Sequence, residues 1–187
     1  MRVLLLNGPP RSGKNTAANI VARHSSSATV LGFSWYLKRM VHAVYLGRDG
    51  WDMDPDCFDA IKGVPQAILA GRTWRQEYIR FSEDVQKPVH GHEWFADRFM
   101  ETARASGADL IVVPDSGFRG EAERVVRELG AHNVRLVRMI REGCTFAGDS
   151  RTYIDLADLG VSRTDVWNHN LHLLGEDMDD VIRAWRP

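Results

Sequence analysis

At 187 residues, 44% hydrophobic and 26% charged, the chain suits one α/β domain with a sizeable core and excludes long disorder. Its net charge of −1 argues against a broad nucleic-acid-binding face, and no apolar run approaches the ~18 residues of a membrane span. Cys57 and Cys144 lack partner spacing and read as reduced thiols of a cytoplasmic protein.

The elements alternate along the chain. A buried strand is predicted over 3–6, directly at the start, which leaves no room for a signal peptide, and a helix over 14–24. Between them runs Gly8-Pro9-Pro10-Arg11-Ser12-Gly13-Lys14-Asn15-Thr16, a G-x-x-x-x-G-K loop in strand–loop–helix context. Gly8 and Gly13 let successive backbone N–H groups turn towards phosphate oxygens. The helix start adds its positive dipole end, and Lys14 supplies a point charge for β- and γ-phosphates. These residues are expected to bind the triphosphate of ATP. Asn15 stands where a magnesium-binding hydroxyl is usual, so the Mg²⁺ contact is expected to pass to Thr16 or to water.

A second strand is expected over 28–33, a helix over 34–46 and a turn-rich insert over 47–63. Ser34 and Lys38 are acceptor-site candidates, although a capped helix with a solvated lysine explains them equally. Helices follow over 74–85 and 93–106, where Arg75 and Arg80 suit an acceptor phosphate or a solvated charged face. A continuous apolar run predicts a third strand over 109–114, ending at Asp115. That carboxylate could hold magnesium, accept a proton from an attacking hydroxyl, or cap the next helix. A helix over 121–129 and a strand over 134–140 lead into a polar, glycine-bearing segment, 141–162. A lid is expected there, with Arg141 and Arg151, and Arg138 as a third, neutralising the transferring phosphoryl group. A short strand near 171–174 and a helix over 176–185 close the chain.

This alternation predicts a doubly wound, mostly parallel sheet with helices on both faces, as one domain over 1–187. The triad Asp52, Asp54, Asp56 fails as a calcium loop, since Cys57 and Gly63 stand where glycine and glutamate are needed. His90 and His92 lack a third zinc ligand at a recognisable spacing.

Arg11-Ser12-Gly13-Lys14-Asn15-Thr16, with Phe33-Ser34 and Leu37-Lys38 after the second strand, resembles the phage P-loop nucleotide kinases. That group includes deoxynucleoside monophosphate kinases and the kinases that phosphorylate 5-hydroxymethyluracil within DNA. The resemblance implies a P-loop kinase fold with an arginine-bearing lid, ATP and Mg²⁺ as cofactors, and host-cytoplasmic location. It implies either DNA carrying a modified pyrimidine or a free deoxynucleoside monophosphate as acceptor, with no membrane and no obligate protein partner. The monophosphate kinases end the third strand Asp-x-Arg, whereas this chain has Asp115-Ser116-Gly117. Loss of that arginine beside a retained Asp tilts the expectation towards a hydroxyl acceptor with Asp115 as base. Twenty arginines against four lysines fit phosphate recognition, though a GC-rich genome produces the same bias. A non-catalytic ATP switch and a small-metabolite kinase stay open. A GTPase is disfavoured by the lack of an Asn-Lys-x-Asp motif.

Overall fold

Val3 to Leu6 have no solvent exposure, and Leu110 to Val113 at most 2%, as strands covered on both faces require. They belong to β1 (Arg2–Asn7) and β3 (Leu110–Val113) of a computed structural model that describes residues 1–149 and 151–185. Ser150, inside the expected lid, and the last two residues of the expected 1–187 domain lie outside the described residues. With β2 (Ala28–Val30), β4 (Val134–Ile140) and β5 (Ser162–Trp167), the strands form one wholly parallel sheet in the order β2-β3-β1-β4-β5. The chain is therefore α/β with an all-parallel five-stranded sheet.

By packing, the chain divides into two compact units, Met1–Gly32 with Met100–Pro187, and Phe33–Phe99. In the first, Leu4, Leu6, Val112 and Met139 share a core with Ala17, Ala18 and Val21 of α1 (Lys14–His24) and Leu174, Met178 and Val181 of α7 (Leu171–Arg183). The alternate residues Leu5, Ile111 and Leu136 are as deeply buried and point to the opposite face. There α6 (Arg119–Leu129) buries Ala122, Val125 and Val126 and packs on β4.

The second unit is helical: α2 (Trp35–Asp52), α3 (Trp74–Arg80), α4 (Lys87–His90) and the first part of α5 (Trp94–Ala105). Thr73 and Gln76 close a reciprocal capping box at the start of α3. Trp74 is 2% exposed and stacks on Phe58 with ring centroids 4.3 Å apart. The turn-rich insert expected over 47–63 begins as helix: Gly47, at φ 67°, breaks α2, which then resumes to Asp52.

One expectation is corrected at the end of the chain. Residues 171–174 open α7, because the Asn170 side chain accepts the Leu173 N–H at 3.0 Å and caps a helix there. The fifth strand is instead Ser162–Trp167, an edge strand in which Val166 is the one buried residue. Its polar composition hid it. The polar segment after β4 is turns with a short 3₁₀ turn, Ala157–Leu159.

Candidate nucleotide-phosphate site

The chain leaves β1 to reach β2 on one side and leaves β4 to reach β5 on the other, so the crevice beyond their carboxyl ends is the sheet's switch point. The loop 8–13 sits there. A Cβ on Gly8 would fall 2.6 Å from the Met139 carbonyl oxygen of β4, so only glycine fits. Arg11 at φ 65° and Gly13 at φ 99° take left-handed conformations that fold the loop over α1. Ser12 donates its backbone N–H to Pro9 at 3.2 Å, closing the turn.

Lys14 points back into this loop and is 8% exposed. Its ammonium donates to the carbonyl oxygens of Gly8 (2.6 Å) and Pro9 (2.7 Å), with a longer approach to Ser12 Oγ at 3.4 Å. An ammonium has three protons: two anchor the charge on the loop's carbonyls and the third faces Ser12 Oγ, the longest and weakest of the three contacts. The outer carbonyls are engaged from elsewhere: Arg141 donates to Arg11 at 3.2 Å and Asn168 to Ser12 at 2.9 Å. Pro10 has no N–H to offer. Asn15 and Thr16 are exposed on the first turn of α1, so the Thr16 hydroxyl is open to a cation.

Cations gather at this place. Burial, and then Arg151, push Lys14 down to about 8, while Asp149, Asp115 and Cys144 act the other way. Arg151 forks onto Asp149, with Nε 2.9 Å from Oδ1 and Nη2 2.7 Å from Oδ2, and these contacts hold the guanidinium's pKa up. Arg138 is committed to structure: it donates twice to the Ile154 carbonyl and stacks on Tyr153.

Asp115 does not cap the next helix. That helix is α6, its N-cap is Phe118, and Asp115 stands three residues earlier. Asp115 instead packs against Gly32, where a Cβ would fall 2.8 Å from Oδ2; the second strand, expected to reach 33, ends at Val30. Thr16 and Asp115 supply oxygen ligands of the kind Mg²⁺ accepts. Among the described residues no group of three His, Cys, Asp or Glu could hold a metal.

The remaining candidates lie in the second unit. Ser34 is the N-cap of α2 without a side-chain cap bond. Lys38 is 8% exposed and bonds Asp56 at 2.5 Å and Asp59 at 2.8 Å. Burial pushes its pKa down, but the two carboxylates outweigh this and raise it. Arg80 and Arg72 both bind Glu77, which has no exposure and also accepts from Tyr45 at 2.5 Å. Burial pushes Glu77 up, yet bonds from Arg80, Tyr45 and Arg72 prevail and hold it at about 2. Arg75 is exposed. Lys14, Asp115, Arg141 and Arg151 thus belong to the first unit, and Ser34, Lys38, Arg75 and Arg80 to the second.

Four residues escape a reading of the sequence. Asn7, fully buried, donates to the carbonyls of Ser116 (2.9 Å) and Thr152 (3.0 Å) and accepts the Ile154 N–H (3.0 Å). Asn168, Asp149 and Gly117 complete the set. A polar residue ending an apolar strand was the available signal for Asn7, and Asp149 pairs with Arg151 only two positions on; Asn168 and Gly117 meet Ser12 and Arg151, partners too distant in sequence to show.

No protein-family model matches the chain, and no curated protein matches it. Among solved structures, an unliganded sugar kinase from Janibacter sp. HTCC2649 is similar over 99% of this chain and 94% of its own. The identity is 15% and the TM-score 0.43. A likeness that loose carries no argument about chemistry. Among the described residues no helix is long and apolar enough to cross a membrane.

Proposed function

We propose that the protein is a P-loop phosphotransferase using Mg·ATP, with residues 1–187 acting as one kinase domain. The observation that carries this reading is the Lys14 ammonium, pinned by two carbonyls inside a glycine-bracketed loop at the switch point of a parallel sheet. Backbone amides of residues 9–14, Proline residues excepted, and Lys14 hold the β- and γ-phosphates. Thr16 and Asp115 would hold Mg²⁺, which neutralises phosphate charge when bound. Arg141 and Arg151 offset the charge of the transferring group, and 141–162 is the lid that excludes water.

In the transfer, an acceptor oxygen bonds to the γ-phosphorus in line as the bond to the β–γ bridging oxygen breaks, releasing ADP. If the acceptor is the hydroxymethyl group of 5-hydroxymethyluracil in DNA, its proton passes to the Asp115 carboxylate. A deoxynucleoside monophosphate is the second reading, favoured by one observation. The side chain of Arg151 runs over Gly117, so the place beside Asp115 is not short of an arginine. Ser34, Lys38, Arg75 and Arg80 are the acceptor candidates under either reading, and the carboxylates on Lys38 and Arg80 would have to release them.

The test offers γ-labelled ATP and Mg²⁺ with deoxynucleoside monophosphates, and separately with duplex DNA containing 5-hydroxymethyluracil. Label in the modified DNA alone establishes the base-hydroxyl kinase, and label in a diphosphate establishes the monophosphate kinase. Binding of ATP without transfer to either would leave the switch or a small-metabolite kinase.

A further inference from the structure

β5 closes the sheet on one side, with β4 as its one neighbouring strand. Just past its end, Asn168 donates its N–H to the Ile140 carbonyl of β4 at 2.8 Å. Peptide groups alternate in direction along a strand. Ser162, Thr164 and Val166 therefore turn theirs to β4, and Arg163, Asp165 and Trp167 turn theirs to the open edge. Among the described residues, no backbone group or side chain bonds the outward N–H and C=O of Arg163 and Asp165. Proteins that keep such an edge alone blunt it with lysine, proline or a bulge. β5 has none of these, and its register with β4 is unbroken.

The charges on this edge have opposite signs and stand two residues apart. Arg163, Asp165 and Trp167 share one face of the strand and are all exposed, Trp167 to 52%. Reversed, the pattern complements itself. An antiparallel copy centred on Thr164 sets Arg163 opposite the partner's Asp165, and Asp165 opposite the partner's Arg163. Trp167 then lies opposite the partner's Val161, close to the partner's Leu159, a side chain 36% exposed. The same centring makes Arg163 and Asp165 hydrogen-bonded pairs and Thr164 a non-hydrogen-bonded pair, the alternation that an antiparallel ladder requires. Centring on Arg163 or on Asp165 instead sets like charges opposite each other, which is unfavourable. Backbone and side chains thus agree on one register. Arg163 already holds Asp155 at 2.8 Å and lies 3.3 Å from Asp165, so the partner's Asp165 joins an existing network. On the face carrying Thr164 and Val166, a groove of about 590 Å³ opens between β5 and α7, with Leu173 and Val181 in its wall. Leu173 is 42% exposed there, which adds apolar surface beside the strand.

We propose that a second copy of this chain pairs antiparallel along β5, in an isologous dimer whose two five-stranded sheets join edge to edge. The proposal is independent of the phosphotransferase reading.

Sedimentation of the full chain at micromolar concentration should give twice the 21.1 kDa of one chain. Arg163→Asp sets like charges opposite at both pairs and is expected to give a monomer. Adding Asp165→Arg restores the complementarity and should return the dimer. Cross-linking reads the register. Thr164→Cys lies on the two-fold axis, where opposed Cα atoms are about 4.5 Å apart, within disulfide reach. Mild oxidation should link it into a covalent dimer, while Ser162→Cys should link no more than the native protein, whose Cys57 and Cys144 set the background. Thermal melting of each variant reports folding, and if Arg163→Asp does not fold the two cysteine variants decide alone. A native protein that sediments as one chain would overturn the proposal. So would a dimer that survives in folded Arg163→Asp, or equal linking of Ser162→Cys and Thr164→Cys.

Discussion

Asn7 Oδ1 accepts the backbone N–H of Ile154 at 3.0 Å across 147 residues of sequence. Its amide holds the carbonyls of Ser116 and Thr152, so the end of β1 is stitched to the turn after β3 and to the segment carrying Arg151. Asn7→Ala leaves three backbone groups without that partner and should cost about 3 kcal/mol by urea denaturation. Amide exchange at Ile154 should quicken more than at Val137 in the neighbouring strand. Unaltered exchange at Ile154 would separate Asn7 from the ordering of that segment.

Arg75 and Arg80 should part company. Arg80 binds the buried Glu77 carboxylate, while the Arg75 side chain is exposed. Arg80→Ala is expected to lower stability slightly, and Glu77→Gln, which removes the charge at the centre of the buried cluster, by about 3 kcal/mol. Arg75→Ala should leave stability within about 0.5 kcal/mol. Equal melting temperatures for the Arg80 and Arg75 variants would contradict the cluster.

Acid should loosen the second unit in two stages. Burial, and then Lys38, push His42 down to about 4, so the folded state favours its neutral form. Stability from that group is complete above the ordinary 6.5 and is lost as pH falls from 6.5 towards 4. Glu77, held at about 2, adds stability that is complete above the ordinary 4.5 and lost as pH falls from there towards 2. Amide exchange in α3 measured from pH 7 to pH 4 should show the first loss, and His42→Phe should flatten it.

How far the sequence spoke depended on distance along the chain. The ends of α1 and β4 match their predicted bounds because the apolar pattern and flanking loops are local. β5 was missed since an edge strand with one buried residue carries no such pattern, and the Leu171–Leu174 run suggested a strand until the Asn170 cap made it helix. The loop 8–16 could be singled out as a candidate because its residues are nine consecutive positions. The seat of Arg151 over Gly117 was not legible, because a glycine with ordinary φ reveals its purpose only when its neighbour in space is known.

The central claim is that Lys14 is the cation of a triphosphate site, and its lowered pKa of about 8 supplies a direct signature. An anion raises that pKa, so protonation and binding are linked: near pH 8.5 binding must take up protons, and affinity must fall as pH rises further. Calorimetric titration of Mg·ATP at pH 8.5, in two buffers of different ionisation enthalpy, counts those protons. The account predicts measurable uptake in the native protein and loss of both uptake and most affinity in Lys14→Ala. Equal ATP affinity in the two proteins would contradict it.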